Sequence, residues 1–124
     1  MKFDTIIIGG GLSGLTCAAM LAKNGQKVGL VTAGQSTLHF NSGSLELLGY
    51  QEGKAVENPL EAMKQLNEGH PYRKIKAEKL ENYIDEAEQL LAEAGLKLKG
   101  SKSKNHLRLS PIGTTIPAWL TLDN

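Results

Sequence analysis

Residues Phe3-Asp4-Thr5-Ile6-Ile7-Ile8-Gly9-Gly10-Gly11-Leu12-Ser13-Gly14-Leu15 decide the fold of this chain. Phe3 to Ile8 is β-rich and continuously apolar at Ile6, Ile7 and Ile8, the pattern of a parallel strand covered on both faces. Three glycines end it. A helix is predicted from Leu12 to Asn24, because Leu12, Leu15, Ala18, Ala19 and Ala22 form a stripe and Gly25 supplies a left-handed stop. Lys27 to Thr32 then restarts a strand through Val28, Leu30 and Val31. Residues 1–32 thus read as a right-handed βαβ unit. Gly9, Gly11 and Gly14 match G-x-G-x-x-G, and the three have distinct mechanical roles in a tight turn, in close approach of backbone to phosphate, and in close packing of helix on strand. The phosphate would lie on backbone N–H groups at the positive end of the helix, which makes Gly9, Gly10, Gly11, Leu12, Ser13 and Gly14 the candidate cofactor-binding residues.

One residue of the dinucleotide pattern is missing. The acid that binds an adenosine ribose, about 20 residues further on, is replaced by Thr32. NADP is disfavoured, since Ala33 to Leu38 holds no Arg or Lys to meet a 2′-phosphate. FAD or NAD fits where Thr32 or a backbone group replaces the acid. FMN has no adenosine ribose and loses nothing.

Cys17, Met20 and Leu21 make the rest of the helix surface apolar too, so it is expected to be covered on more than one side, with Cys17 a small buried hydrophobe rather than a redox thiol. Nothing after Thr32 offers a comparable βαβ repeat, and a doubly wound sheet needs more parallel strands. The expected fold class is therefore α/β: a Rossmann-like FAD/NAD(P)-binding βαβ unit with additional helices and a few antiparallel strands, the front part of a longer protein.

Residues 33–57 read as a Gly/Ser-rich loop with a short helical turn at Leu45 to Leu48, followed by a polar linker over Gln51 to Glu57. Residues 58–124 read as helices and short strands. Asn58, Pro59 and Glu61 open a short helix through Leu60, Met63 and Leu66 that stops by Gly69 and Pro71. The clearest amphipathic helix spans Ala77 to Ala94, with Leu80, Tyr83, Ile84, Ala87, Leu90 and Leu91 on one face and the acids Glu78, Glu81, Asp85, Glu86, Glu88 and Glu93 mostly solvated. Leu96 to Leu98 and His106 to Leu109 alternate like half-exposed strands, and Pro111 to Trp119 reads as a third, distorted by Pro117.

Fourteen basic and 13 acidic residues leave a net charge of +1, which gives no reason to expect nucleic acid or an anionic membrane surface as the main partner. Lys102 and Lys104, interleaved with Ser101, Ser103 and Asn105, read as a solvated loop. A single cysteine excludes an internal disulfide and suits the cytoplasm, and the run Ile6 to Ile8 is too short for a signal peptide or a membrane span.

The opening Phe3 to Leu15, then Gly34-Gln35-Ser36-Thr37-Leu38-His39-Phe40 and Ser42-Gly43-Ser44-Leu45-Glu46-Leu47-Leu48, closely resemble the B-subunit family of anaerobic glycerol-3-phosphate dehydrogenases. His70-Pro71-Tyr72 and Pro111-Ile112-Gly113-Thr114 are similar to it as well. The resemblance implies a flavin-containing subunit, with FMN as the family's cofactor and FAD as the alternative. It also implies two partners, the A-subunit, which is catalytic, and the C-subunit, which carries iron–sulfur centres and is membrane-associated. Together these oxidise sn-glycerol 3-phosphate to dihydroxyacetone phosphate and pass electrons towards quinone, with fumarate or nitrate as terminal acceptor. The flavin-containing subunit itself would be cytoplasmic, peripheral to the membrane through its partners and not inserted in it.

Thr32, Ser36, Ser42 and Gly43 complete the candidate cofactor set; Ser36, Ser42 and Ser44 could donate to phosphate or flavin carbonyls, with turn stabilisation as the equal competing role. His39 is the candidate for approach to a flavin ring or for proton transfer, with a hydrogen-bonded loop histidine as the equal alternative. His70 and His106 lack partners at metal-ligand spacing, so no metal site is expected, and Trp119 reads as a core or interface anchor. Two other functions stay open: a non-catalytic assembly subunit, and a different FAD- or NAD-dependent oxidoreductase.

Overall fold

In the computed structural model, which describes residues 1–123, the three isoleucines build β1 (Thr5–Ile8), which pairs in parallel with β2 (Val28–Val31), Thr5 opposite Val28 and Ile8 opposite Val31. α1 (Leu12–Lys23) joins them. It ends as a Schellman motif: Gly25 takes φ +81°, its N–H donates to the Ala22 carbonyl at 2.9 Å, and the Gln26 N–H donates to Leu21 at 3.1 Å. The Lys27 N–H donates to Asp4 at 2.8 Å, tying the starts of the two strands together.

Cover on this unit differs from expectation. Ile7 faces α1, whereas Ile6, Ile8 and Val31 are 53%, 87% and 55% exposed. No residue of α1 is buried, and Cys17 is exposed, not the buried hydrophobe predicted from its neighbours. The two strands and one helix leave these apolar residues uncovered.

The chain divides into two compact units, Met1–Ser42 and the residues from Gly43 on. The second carries two antiparallel pairings along the segment 115–122. β7 (His106–Leu109) pairs with β8 (Thr115–Ala118), and β6 (Leu98–Gly100) pairs with β9 (Leu120–Leu122) in a separate sheet. Residues 101–105 bulge out between them. Gly100 has φ +139°, and a Cβ there would overlap the Trp119 carbonyl oxygen, so the entry to the bulge requires glycine. Pro117 does not interrupt its strand; it sits fully buried opposite Leu107, in a strand partnered on one side only, where proline costs no ladder bond.

β3 (Ser44–Leu45) pairs with the other side of β9, so the helical turn expected at Leu45 to Leu48 is replaced by strand and a left-handed Leu48, φ +44°. Pairing with a strand some 75 residues away has overridden local preference. The polar stretch expected as a linker is a hairpin, β4 (Tyr50–Gln51) and β5 (Lys54–Ala55), turned by Glu52 and Gly53, both at positive φ as a type I′ turn requires.

α2 (Pro59–Lys64) begins at the predicted N-cap Asn58, although the Asn58 side chain makes no capping bond and Glu61 pairs instead with Lys64. A further one-turn helix, α3 (Pro71–Lys74), is capped by His70, whose Nδ1 accepts from the Tyr72 N–H at 3.2 Å. α4 (Ala77–Glu93) lays Leu80 and Ile84 into a core with Leu47, Met63, Trp119 and Leu120. Trp119 is the anchor expected of it: buried, its backbone N–H donates to Leu45 and its indole N–H to Glu88 at 3.0 Å. Lys102 and Lys104 in the bulge are ion-paired, with Asp85 and Glu57, and the hydrogen bond to Asp85 raises the pKa of Lys102.

Asn105 closes the bulge. It is 7% exposed; its backbone N–H donates to Glu57, and its side-chain amide reaches the carbonyls of Leu47, Leu48 and Val56 at 2.9–3.4 Å. Replacing it with alanine leaves buried carbonyls without a donor. Asn105→Ala should destabilise the unit by about 1–3 kcal/mol, read as a lowered urea midpoint in Trp119 fluorescence, and an unchanged midpoint would refute this role.

Candidate nucleotide-binding site

The glycine turn lies wholly within residues 1–42. Gly9 closes β1 with its N–H on the Val31 carbonyl at 2.8 Å, then turns at φ +115°. Gly11 is the N-cap of α1 in extended backbone, φ −77°, and offers no side-chain cap. The first backbone bond of the helix runs from Leu15 N–H to Gly11 C=O at 2.9 Å. The amides of Leu12, Ser13 and Gly14 therefore precede the intrahelical ladder and project from the positive end of the dipole, where no first-turn acid competes for them.

The glycines differ in what they permit. A Cβ on Gly14 would overlap the Gly9 carbonyl oxygen, so the third glycine is needed for the turn to fold at all. A Cβ on Gly10 would come within 3.0 Å of Thr32 Oγ1. A Cβ on Gly11 would meet no protein atom within 4 Å, so its absence keeps open a space next to unsatisfied amides. A phosphate fits such a cradle.

The other candidates are distributed unevenly. Thr32 stands beside Gly10, just past β2, where its hydroxyl donates to the Gly34 carbonyl at 3.1 Å and keeps its lone pairs for another donor. Ser36 caps a single 3₁₀ turn over Thr37–Phe40 by accepting from the Leu38 N–H at 3.2 Å, the turn-stabilising role. His39 lies exposed in that turn, edge-on to Phe40 at 5.1 Å. Ser42 ends the first unit. Gly43, in the second, takes φ +72°, accepts from the Leu122 N–H at 2.9 Å, and would clash with Leu122 if it carried a Cβ. Its position is explained by the sheet. Among the described residues no cluster of His, Cys, Asp or Glu could hold a metal, and no helix is long and apolar enough to cross a membrane.

The family model for an FAD binding domain matches residues 4–124. The chain is 50% identical over 127 residues to the B-subunit of anaerobic glycerol-3-phosphate dehydrogenase from Yersinia pseudotuberculosis, covering 98% of this chain and 30% of that protein. The B-subunits of Pectobacterium carotovorum and Aliivibrio fischeri are 41% and 40% identical, again over 98% of this chain and over 30% and 28% of theirs. The chain thus spans less than a third of the length of these relatives. No solved structure matches. The dinucleotide flavin is the one the family model names, and FMN, implied by the resemblance, gains no support from it.

The contrast between two glycines is testable. Gly11→Val should leave the thermal unfolding of the chain unchanged while abolishing nucleotide binding, whereas Gly14→Ala should disturb both, measured by circular dichroism and flavin fluorescence. Retained flavin binding in folded Gly11→Val would mean that the phosphate lies elsewhere.

Proposed function

The chain belongs to the FAD-binding domain family, and from that premise we propose that its Gly9–Gly14 turn holds the pyrophosphate of FAD within a flavin-dependent dehydrogenase acting on sn-glycerol 3-phosphate. The observation that carries this reading is the open space over Gly11, bordered by the free amides at the start of α1. A pyrophosphate needs backbone donors at close range and no side chain in between. Thr32, in place of an acid, would accept from a ribose hydroxyl. The exposed Ile6, Ile8 and Val31 support reading β1 and β2 as part of a larger Rossmann-type sheet.

Bound flavin would supply the redox chemistry, accepting the hydride equivalent lost as the secondary alcohol of glycerol 3-phosphate becomes a ketone. The residues here would bind and orient. Ser36, His39 and Ser42, in the segment after β2, are the candidates for contact with the remainder of the cofactor. The substrate follows from the names of the relatives, as does membership of a multi-subunit assembly. The proposed partners are the A-subunit, which is catalytic, and the iron–sulfur C-subunit, which would deliver electrons to quinone from the cytoplasmic side of a membrane.

The test is a fluorescence titration of the chain with FAD, FMN and NAD, alongside the full-length Yersinia pseudotuberculosis relative. FAD should bind in preference to the other two, and more weakly to this chain than to the relative, because a flavin site also needs walls for the ring. Failure of both proteins to bind any nucleotide would sink the proposal and favour a non-catalytic assembly subunit.

A further inference from the structure

Strand β7 has its apolar residues outward. Leu107 and Leu109 are 63% and 72% exposed, while His106 and Arg108, alternating with them and so on the other face, are partly buried. That face meets the sheet of β3 and β9. His106 Nε2 lies 3.1 Å from Thr121 Oγ1, Thr121 is opposite Ser44, and Glu46, two residues on from Ser44, approaches Arg108. Five polar side chains thus meet on one side of β3, β7 and β9.

Two atoms of this patch, Arg108 Nε and His106 Nδ1, are buried without a hydrogen-bond partner. The Arg108 side chain is 18% exposed, and the Glu46 carboxylate stands 4.0 Å from its terminal nitrogen, too far for a hydrogen bond and half in solvent. A guanidinium with one enclosed N–H unsatisfied and its nearest acid at arm's length is an arrangement that a planar or tetrahedral oxyanion completes once that acid moves aside. The histidine and threonine beside it add two more polar groups.

We propose that this face is a binding site for the phosphate of a small phosphate monoester, with Arg108 as the fork and His106 and Thr121 flanking it. The site deepens the function proposed above, and rests on it only in the choice of ligand. Glu46 screens Arg108 in the free protein and swings towards solvent when the phosphate enters. The glycine turn and this face then have separate roles, one for the cofactor and one for the substrate.

The experiment is a titration of the chain with inorganic phosphate, sn-glycerol 3-phosphate, glycerol and acetate at constant ionic strength, following the Arg108 Nε–H resonance by NMR. Both phosphates should give a saturable shift and glycerol none. Arg108→Gln should weaken binding about tenfold or more, and Lys102→Gln, which removes a cation paired with Asp85, should not. If Arg108→Gln does not fold, Arg108→Lys serves: it keeps the charge, loses the fork, and should bind more weakly. A shift that never saturates, equal losses in Arg108→Gln and Lys102→Gln, or unchanged affinity in Arg108→Lys would overturn the site. A response to acetate as strong as to phosphate would overturn the choice of phosphate. Flavin titration of the same samples and of the full-length relative separates the two readings: flavin bound without phosphate refutes this inference alone, and phosphate bound by the chain with flavin bound by neither protein refutes only the cofactor reading.

Discussion

The close approach of Gly14 to the Gly9 carbonyl is the constraint on which the first unit depends. Only a residue without Cβ lets α1 start directly over the end of β1, and that start aims the first amides of the helix at the space beside Gly11. A helix begun further out would still cover Ile7, but its free N–H groups would point into bulk water. The packing of helix on strand and the placing of the helix's first amides beside Gly11 are therefore one event.

The second unit is organised by a different restriction. The segment 115–122 pairs with 98–100 at one end and with 106–109 at the other, and the intervening residues 101–105 leave at the glycine that alone fits against Trp119. The extruded residues are then held by Asn105, which supplies buried donors to three carbonyls of the preceding loop. Pinning the bulge also sets which face each residue of β7 presents. His106 and Arg108 turn into the sheet, and Leu107 and Leu109 turn out.

The βαβ elements were legible to within a residue or two because their signals are local: a run of isoleucines, a glycine turn, a stripe at helical spacing and a glycine stop. α4 was legible for the same reason, through Leu80, Ile84 and Leu91. The glycine turn was equally plain as a strand-to-helix connection, since spacing and context place Gly9 at the end of β1 and Gly14 inside α1. Elements of two or three residues were not. Ser44 and Leu45 look like the start of a helical turn until Thr121 and Leu120 are set beside them, and Gln51 and Lys54 look like linker until they face each other. The outward leucines of β7 were visible as alternation, but alternation does not say which face is inside.

From the amino-acid sequence alone came the α/β character, the glycine turn with Gly9, Gly11 and Gly14, the unusual Thr32, and the resemblance that the family model and the relatives bear out. All of these depend on residues near one another in the chain. The tertiary structure alone decided that Gly11 faces open space while Gly14 faces a carbonyl, that Cys17 is exposed, and that Arg108 and His106 share a face with Glu46 and Thr121. The first two depend on how α1 packs on β1, and the last on a pairing of residues 77 positions apart, Ser44 with Thr121. Their energy is that of side chains and ladder bonds brought together by folding, and no local propensity encodes it.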